Sequence, residues 1–153
     1  MTSSSFRTAN RSDDYQEESG ILDLPSIEDN LIEAFENLIA KSAKTRLVAF
    51  ETIRKALSQR CLADFIYNRK VTILDSLSRS IKRSKGQDLG YAATLIPLVC
   101  ATVGPGPETD PIFCEINSQL LILLADTTIS PDVRAKCARS IAICTYVVGI
   151  AGY

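Results

Sequence analysis

The sequence predicts an all-α protein, an armadillo/HEAT-like α-solenoid of about three helical hairpins. Two patterns favour it: apolar residues recur at helical spacing along most of the chain, and the helices recur at a period of 44 residues. With 153 residues, 7 Gly and 6 Pro, the chain is long enough for one domain and poor in turn residues. We expect a tail over residues 1–24 and a helical repeat domain over residues 25–153.

The N-terminal segment, residues 1–24, carries five serines and five acidic residues but little apolar material. Such a composition cannot bury enough surface to offset the entropy of ordering, so we expect a disordered tail. Its serines are candidates for phosphorylation, although solvated serine-rich tails without regulation are equally common.

The first predicted hairpin joins a helix that follows Ser26 to a helix over Ala43 to Gln59. Ser26 is the expected N-cap, with Asp29 in the capping-box position. One apolar stripe follows on the first helix: Ile27, Leu31, Ala34, Phe35 and Leu38. Only three residues separate the two helices, so they should form an antiparallel pair.

Four further helices are predicted after a short apolar segment at residues 62–67. They cover Lys70–Ser84, Asp88–Val103, Asp110–Leu124 and a last helix that follows Ser130. Pro97 should kink the fourth helix of the chain, and the Gly-Pro-Gly-Pro run at residues 104–107 should end it. Asp110 and Ser130 are each followed by Pro, which is typical of an N-cap and first helical position. Six helices make three hairpins.

A shift of 44 residues superimposes the three hairpins. The matched positions are Ser42, Gly86 and Ser130; Arg46, Gly90 and Arg134; and Ala49, Ala93 and Cys137. A period of 40 to 47 residues is typical of armadillo and HEAT repeats. A non-repeating six-helix bundle is the alternative. The matched arginines are interpreted as bridges within or between units, in preference to ligand contacts.

The last predicted helix is apolar on every face, whereas the terminal unit of a solenoid needs a polar outer face. We expect further repeats, a partner or a second copy to cover it, and self-association if nothing does. Its apolar stretch, Ile141 to Ala151, is shorter than the roughly 20 residues that span a bilayer, so no membrane contact is predicted.

Residues suited to catalysis or metal binding are scarce. The chain contains no histidine, the commonest general base and metal ligand. Five cysteines without zinc-ligand spacing lie in apolar segments, where we expect reduced thiols packed as small hydrophobes. They are Cys61, Cys100, Cys114, Cys137 and Cys144. The pattern predicts no enzyme, no metal and no cofactor, in a reducing compartment.

Charge is segregated along the chain. Residues 41–85 contain twelve basic residues against three acidic ones, a local net of +9, although the whole chain has a net charge of -1. The predicted third helix and its ends carry the candidate partner-binding residues: Arg69, Lys70, Arg79, Lys82, Arg83 and Lys85. Such a face suits an anionic partner, either nucleic acid or an acidic protein surface. The alternative is a solvated face that keeps the protein soluble.

Three stretches carry a family resemblance: Lys-Ser-Ala-Lys-Thr-Arg at 41–46, Ile-Leu-Asp-Ser-Leu at 73–77 and Cys-Ala-Thr-Val-Gly-Pro-Gly at 100–106. With the amphipathic helix between the first two, they resemble the N-terminal region of the interferon-related developmental regulator family. The similarity extends from about Ile32 to Val148.

The resemblance implies a non-catalytic armadillo-like scaffold in the nucleus and cytoplasm. Family members are described as transcriptional coregulators that associate with histone-deacetylase co-repressor complexes, and as factors that bind translationally inactive ribosomes. The implied partners are therefore proteins, or the ribosome and RNA. Gly90 stands where the family tends to carry Arg, which predicts a looser second unit. The family also continues into further repeats and a separate C-terminal domain beyond this stretch.

Overall fold

The computed structural model describes residues 24–59 and 62–150, and all regular structure within these ranges is helical. Seven helices follow one another: α1 Leu24–Asn37, α2 Ala43–Gln59, α3 Ala63–Asn68, α4 Lys70–Arg83, α5 Gln87–Val103, α6 Asp110–Ala125 and α7 Pro131–Ile150. The predicted all-α class is confirmed. The predicted tail, apart from Leu24, and Cys61 lie outside the described residues.

The six longer helices are ordered in two layers. Along one layer α4 contacts both α1 and α6, and along the other α5 contacts both α2 and α7. Within the hairpins, α1 packs on α2, α4 on α5 and α6 on α7. We interpret this order as three stacked units, because each hairpin packs mainly on its neighbours in the chain.

The short segment before α4 is a helix, which the apolar pattern alone did not indicate. Helix α3 buries Phe65 and Ile66, and Leu62 just before it is also buried. It packs on α5 and α4. A run of six residues is too short to display a helical period, so its state depends on the two helices that cover it.

Three predicted helix starts are off by one to three residues: those of α1 and α6, and that of α5, which begins at Gln87 and not at Asp88. Helix α1 already includes Leu24, which places Ser26 inside the first turn and not at the N-cap. Pro25 occupies that first turn, where a missing N–H removes no helical hydrogen bond. Helix α6 has Thr109 at its N-cap, and the Asp110 carboxylate instead accepts a hydrogen bond from the Gly106 N–H at 2.9 Å.

The matched positions of the 44-residue register coincide in the structure. Ser42, Gly86 and Ser130 each stand immediately before the second helix of a hairpin. The Ser42 hydroxyl oxygen accepts a hydrogen bond from the Thr45 N–H at 3.3 Å, and the Ser130 oxygen accepts one from the Val133 N–H at 3.4 Å. These bonds satisfy otherwise free donors of the first helical turn.

The glycine that predicted a looser second unit lies where this unit meets the third one, and the looseness itself stays a prediction. Gly90 is buried in α5, and a Cβ atom placed there would lie 3.4 Å from Val133 Cγ2 and from Lys136 Cδ of α7. An alanine at this position would be in ordinary van der Waals contact with α7, and α5 and α7 form the most extensive helix contact of the described chain. The small residues at the next matched position, Ala93 and Cys137, are fully buried as predicted.

Gly104 ends α5 as the sequence predicts. Its φ of +71° and ψ of -178° fall in a region that essentially only glycine occupies, and its N–H donates to the Cys100 carbonyl at 2.9 Å. This conformation turns the chain out of the helix and into the loop that leads to α6.

We expect Gly104→Ala to lower the free energy of unfolding by about 1–3 kcal/mol, because alanine cannot adopt this backbone conformation without strain. Chemical denaturation measures the change. Gly149→Ala is the matched control: Gly149 lies in α7 with open space where a Cβ would stand. There alanine should leave stability unchanged or raise it by up to about 1 kcal/mol. Equal losses of unfolding free energy for the two variants would contradict the requirement for glycine at position 104.

Candidate partner-binding surface

The six candidate residues lie on α4 and at its two ends. Arg69 separates α3 from α4, and Lys70 is the first residue of α4. Arg79, Lys82 and Arg83 are exposed along its second half, and Lys85 is exposed just beyond its end. The helical spacing therefore brings the middle three to one solvent-facing side, as predicted, but the two ends differ in their surroundings.

At the start of α4, the basic side chains hold neighbouring segments together. Lys70 Nζ lies 3.0 Å from a Glu108 carboxylate oxygen and 3.8 Å from the centre of the Tyr67 ring. The hydrogen bond with Glu108 raises the pKa of Lys70 above its usual value. The Arg69 guanidinium lies 4.6 Å from the Phe65 ring centre. These contacts tie α3 and the loop before α6 to α4, which is a structural role.

Farther along α4, two of the candidate cations are paired with carboxylates. Arg79 lies 2.8 Å from Asp75 one turn earlier, and Lys82 lies 2.8 Å from Glu115 of α6. All four side chains are more than half exposed. We call these four residues the charged strip. The structure therefore presents two ion pairs across two units, where the sequence predicted a basic face.

A second basic surface lies at the turns between helices. Lys41 and Lys44 border the start of α2, and Arg83 and Lys85 border the end of α4. All four are exposed, and none forms an ion pair with a described residue. We call these four residues the turn edge. Sequence reasoning placed Lys41 and Lys44 in the basic block but missed them as surface candidates, because only the tertiary pairing distinguishes free from neutralised cations.

Arg46 links the first two units, as its matched position predicts. Its Nε and Nη2 atoms lie 2.8 Å and 2.6 Å from Asp88 Oδ2 on α5. Its Nη1 donates to the carbonyls of Ala40 and Lys41 at 2.8 Å and 2.9 Å. In the third unit the Nε of Arg134 donates to the Leu124 carbonyl at 2.8 Å. Arg46 thus binds the turn that precedes its own helix, whereas Arg134 binds the last turn of α6.

The thiols differ in exposure. Cys100, Cys137 and Cys144 are buried, whereas Cys114 is exposed, so the prediction that the cysteines pack as small hydrophobes is wrong for Cys114. A hydrogen bond with Cys100, together with burial, raises the pKa of the Cys144 thiol. Burial likewise raises the pKa of Cys137. A raised pKa disfavours the thiolate, which is the nucleophilic form.

No group of three or more metal-ligating side chains occurs within residues 24–59 and 62–150. Among the helices described, none is long and apolar enough to cross a membrane. The apolar end of the chain does expose side chains: Ile122 on α6 and Tyr146 on α7 are 71% and 70% exposed.

Removing the link between units should destabilise the protein. We expect Arg46→Ala to lower the free energy of unfolding by about 1–3 kcal/mol, because Asp88 and two carbonyls lose a charged donor. Arg79→Ala, which breaks an exposed pair within one helix, should cost less than about 1 kcal/mol. Adding Asp88→Ala in a double-mutant cycle should show coupling with Arg46 and none with Arg79. Equal effects of the two arginine variants would contradict the structural role.

Comparison with known proteins places these features in a family. The family model for interferon-related developmental regulators matches residues 1–152. Interferon-related developmental regulator 2 of Mus musculus is 36% identical over 122 residues, which cover 80% of this chain and 28% of that protein. Interferon-related developmental regulator 1 is 36% identical in Sus scrofa and 35% in Homo sapiens, each over 107 residues. Those alignments cover 70% of this chain and 24% of each relative. The chain belongs to the interferon-related developmental regulator family.

Proposed function

We propose that this chain is a non-catalytic interaction scaffold that modulates gene expression as a transcriptional coregulator through protein partners in the nucleus and cytoplasm. Membership of a family of regulators is the starting point. The observation that carries the proposal is the charged strip, in which two basic side chains of α4 are paired with acidic side chains of α4 and α6. The chain spans about a quarter of the length of its relatives, so the proposal concerns the role of this segment.

The two ion pairs of the charged strip favour a protein partner over a polyanion. In the charged strip each cation is already neutralised by a carboxylate, so the long-range attraction for phosphate backbones is weak there. A protein surface whose acidic and basic side chains are arranged in the complementary order can face every charge of the strip with an opposite charge. Such a match contributes to specificity more than to affinity. Co-repressor complexes are the partners that the family resemblance suggests.

Recruitment to a promoter tests the proposal. We expect the full chain, fused to a heterologous DNA-binding domain, to change reporter transcript levels relative to that domain alone. Arg79→Glu combined with Lys82→Glu should abolish most of the effect, because it reverses both cations of the charged strip. Lys55→Glu, on an exposed part of α2, is the matched control. No transcriptional effect of the native fusion, or equal effects of both variants, would refute the proposal.

A second candidate is association with the ribosome or RNA through the turn edge. Its four cations are exposed and form no ion pair with a described residue, which favours contact with phosphates. Here the regulated step would be translation, and the partner would be recognised by charge without dependence on its sequence.

Salt dependence tests this second candidate. If all four cations contact single-stranded RNA, affinity should fall about 50-fold between 50 mM and 200 mM salt, from a logarithmic slope of about -3. Fluorescence anisotropy with a labelled uridine oligonucleotide measures it, and co-sedimentation with ribosomes should show the same trend. Absence of RNA binding at 50 mM salt would remove RNA contact from consideration.

A further inference from the structure

A cavity of about 260 Å³ opens between the α1–α2 turn and the end of α4. Its floor is formed by residues 38–40, and Lys41, Arg46, Arg83 and Ser84 complete its lining. The three basic residues come from three separate elements, namely the first turn of the chain, α2 and α4. Among the described residues no carboxylate lines the cavity, although Arg46 is paired with Asp88. It is therefore a concave site with two unpaired cations, Lys41 and Arg83, and one neutralised cation, Arg46.

The three cations have different roles in this cavity. The Arg46 side chain is fixed in position, because its guanidinium is bound by Asp88 and by the carbonyls of Ala40 and Lys41. Lys41 and Arg83 are exposed and form no hydrogen bond or ion pair through their side chains with a described residue. They remain free to bind a ligand. The Ser84 hydroxyl adds a neutral donor to the same lining.

The position of Lys41 is not explained by helix stability. Arg83 lies in the last turn of α4, where a cation offsets the negative end of the helix dipole. Lys41 instead precedes α2 by two residues, and there a cation faces the positive end of a dipole. A bound anion would relieve this repulsion, and the start of a helix is itself favourable for anions.

We propose that this cavity binds a phosphate monoester, carried as phosphoserine or phosphothreonine by a protein partner. Its volume lies below the roughly 300–1,000 Å³ of pockets for drug-sized ligands, so it suits a single chemical group. Arginine and lysine from separate elements are typical ligands of such a group. The inference rests on the proposed role in binding protein partners and specifies the chemistry of one contact.

Two observations favour a phosphate monoester over the backbone of RNA. Two free cations match the charge of a monoester, which approaches -2 at neutral pH, better than the single charge of a phosphodiester. No aromatic side chain of the described residues lines the cavity, so these residues offer no surface on which a base would stack.

Titrations of the full chain test the inference. The probes are N-acetyl-phosphoserine methylamide, inorganic phosphate and dimethyl phosphate, each at constant ionic strength, together with a uridine hexanucleotide. Backbone amide shifts of Lys41, Ser42, Ser84 and Lys85 report binding by NMR. We expect saturable shifts with the phosphoserine probe, at an affinity at least tenfold above that of dimethyl phosphate. Inorganic phosphate should bind the same amides more weakly than the phosphoserine probe, because only the probe carries a peptide.

Matched variants locate the binding. Lys41→Gln and Arg83→Gln remove exposed side chains and should each weaken phosphoserine binding at least fivefold. The unfolding midpoint should shift only slightly, upward for Lys41→Gln and downward for Arg83→Gln, because each charge interacts with a helix dipole. Lys55→Gln, an exposed lysine away from the cavity, should leave the affinity within twofold of the native value.

Three outcomes would overturn the inference: shifts that do not saturate, equal affinity for dimethyl phosphate, or equal sensitivity to Lys55→Gln. Tighter binding of the hexanucleotide, lost in Lys41→Gln and Arg83→Gln, would assign the cavity to RNA instead. Failure of phosphoserine binding alongside a positive promoter assay refutes only the cavity assignment. A silent promoter assay with intact phosphoserine binding refutes only the coregulator role.

Discussion

The burial of α5 among α2, α3, α4 and α7 is the constraint on which the rest of the structure depends. This helix is apolar on almost every side, so it can only be stable where neighbours cover it. Its face towards α7 carries small residues: Gly90 lies against Val133 and Lys136, and the carbonyl of Ala93 accepts a hydrogen bond from the Ser140 hydroxyl. These contacts join the second hairpin to the third.

Ion pairs at the surface add to the stability that this apolar core provides. The contribution of each pair to the free energy of unfolding depends on how exposed it is. Exposed pairs such as Arg79 with Asp75 contribute about 0–1 kcal/mol and leave stability to the core. Arg46 is better shielded and connects a turn of the first unit to α5 of the second. The ion pairs divide the basic block into two surfaces: the charged strip, whose cations are paired, and the turn edge, whose cations form no ion pair with a described residue. A partner therefore meets different chemistry at the charged strip and at the turn edge.

The helices were predicted best where the apolar period is long. The bounds of α2 agree with the sequence prediction. Of the stripe expected on α1, Leu31, Ala34, Phe35 and Leu38 are buried and Ile27 is partly buried. Short or terminal features were predicted less well. Helix α3 has too few residues to show a helical period. Ser26 is a residue type typical of an N-cap, but it lies inside the first turn of a helix that begins at Leu24. Cys114 sits in an apolar segment, yet the face it occupies on α6 is uncovered.

By itself, the sequence determined the all-α class, the faces of the long helices that are buried, the 44-residue register and the concentration of positive charge in residues 41–85. These properties depend on spacing along the chain, which local geometry converts directly into faces of a helix. Only the tertiary structure decided which of those cations are available. Glu108 and Glu115, which neutralise Lys70 and Lys82, come from residues more than 30 positions away. Helical periodicity specifies the face on which a side chain lies, but not the helix or loop that this face meets.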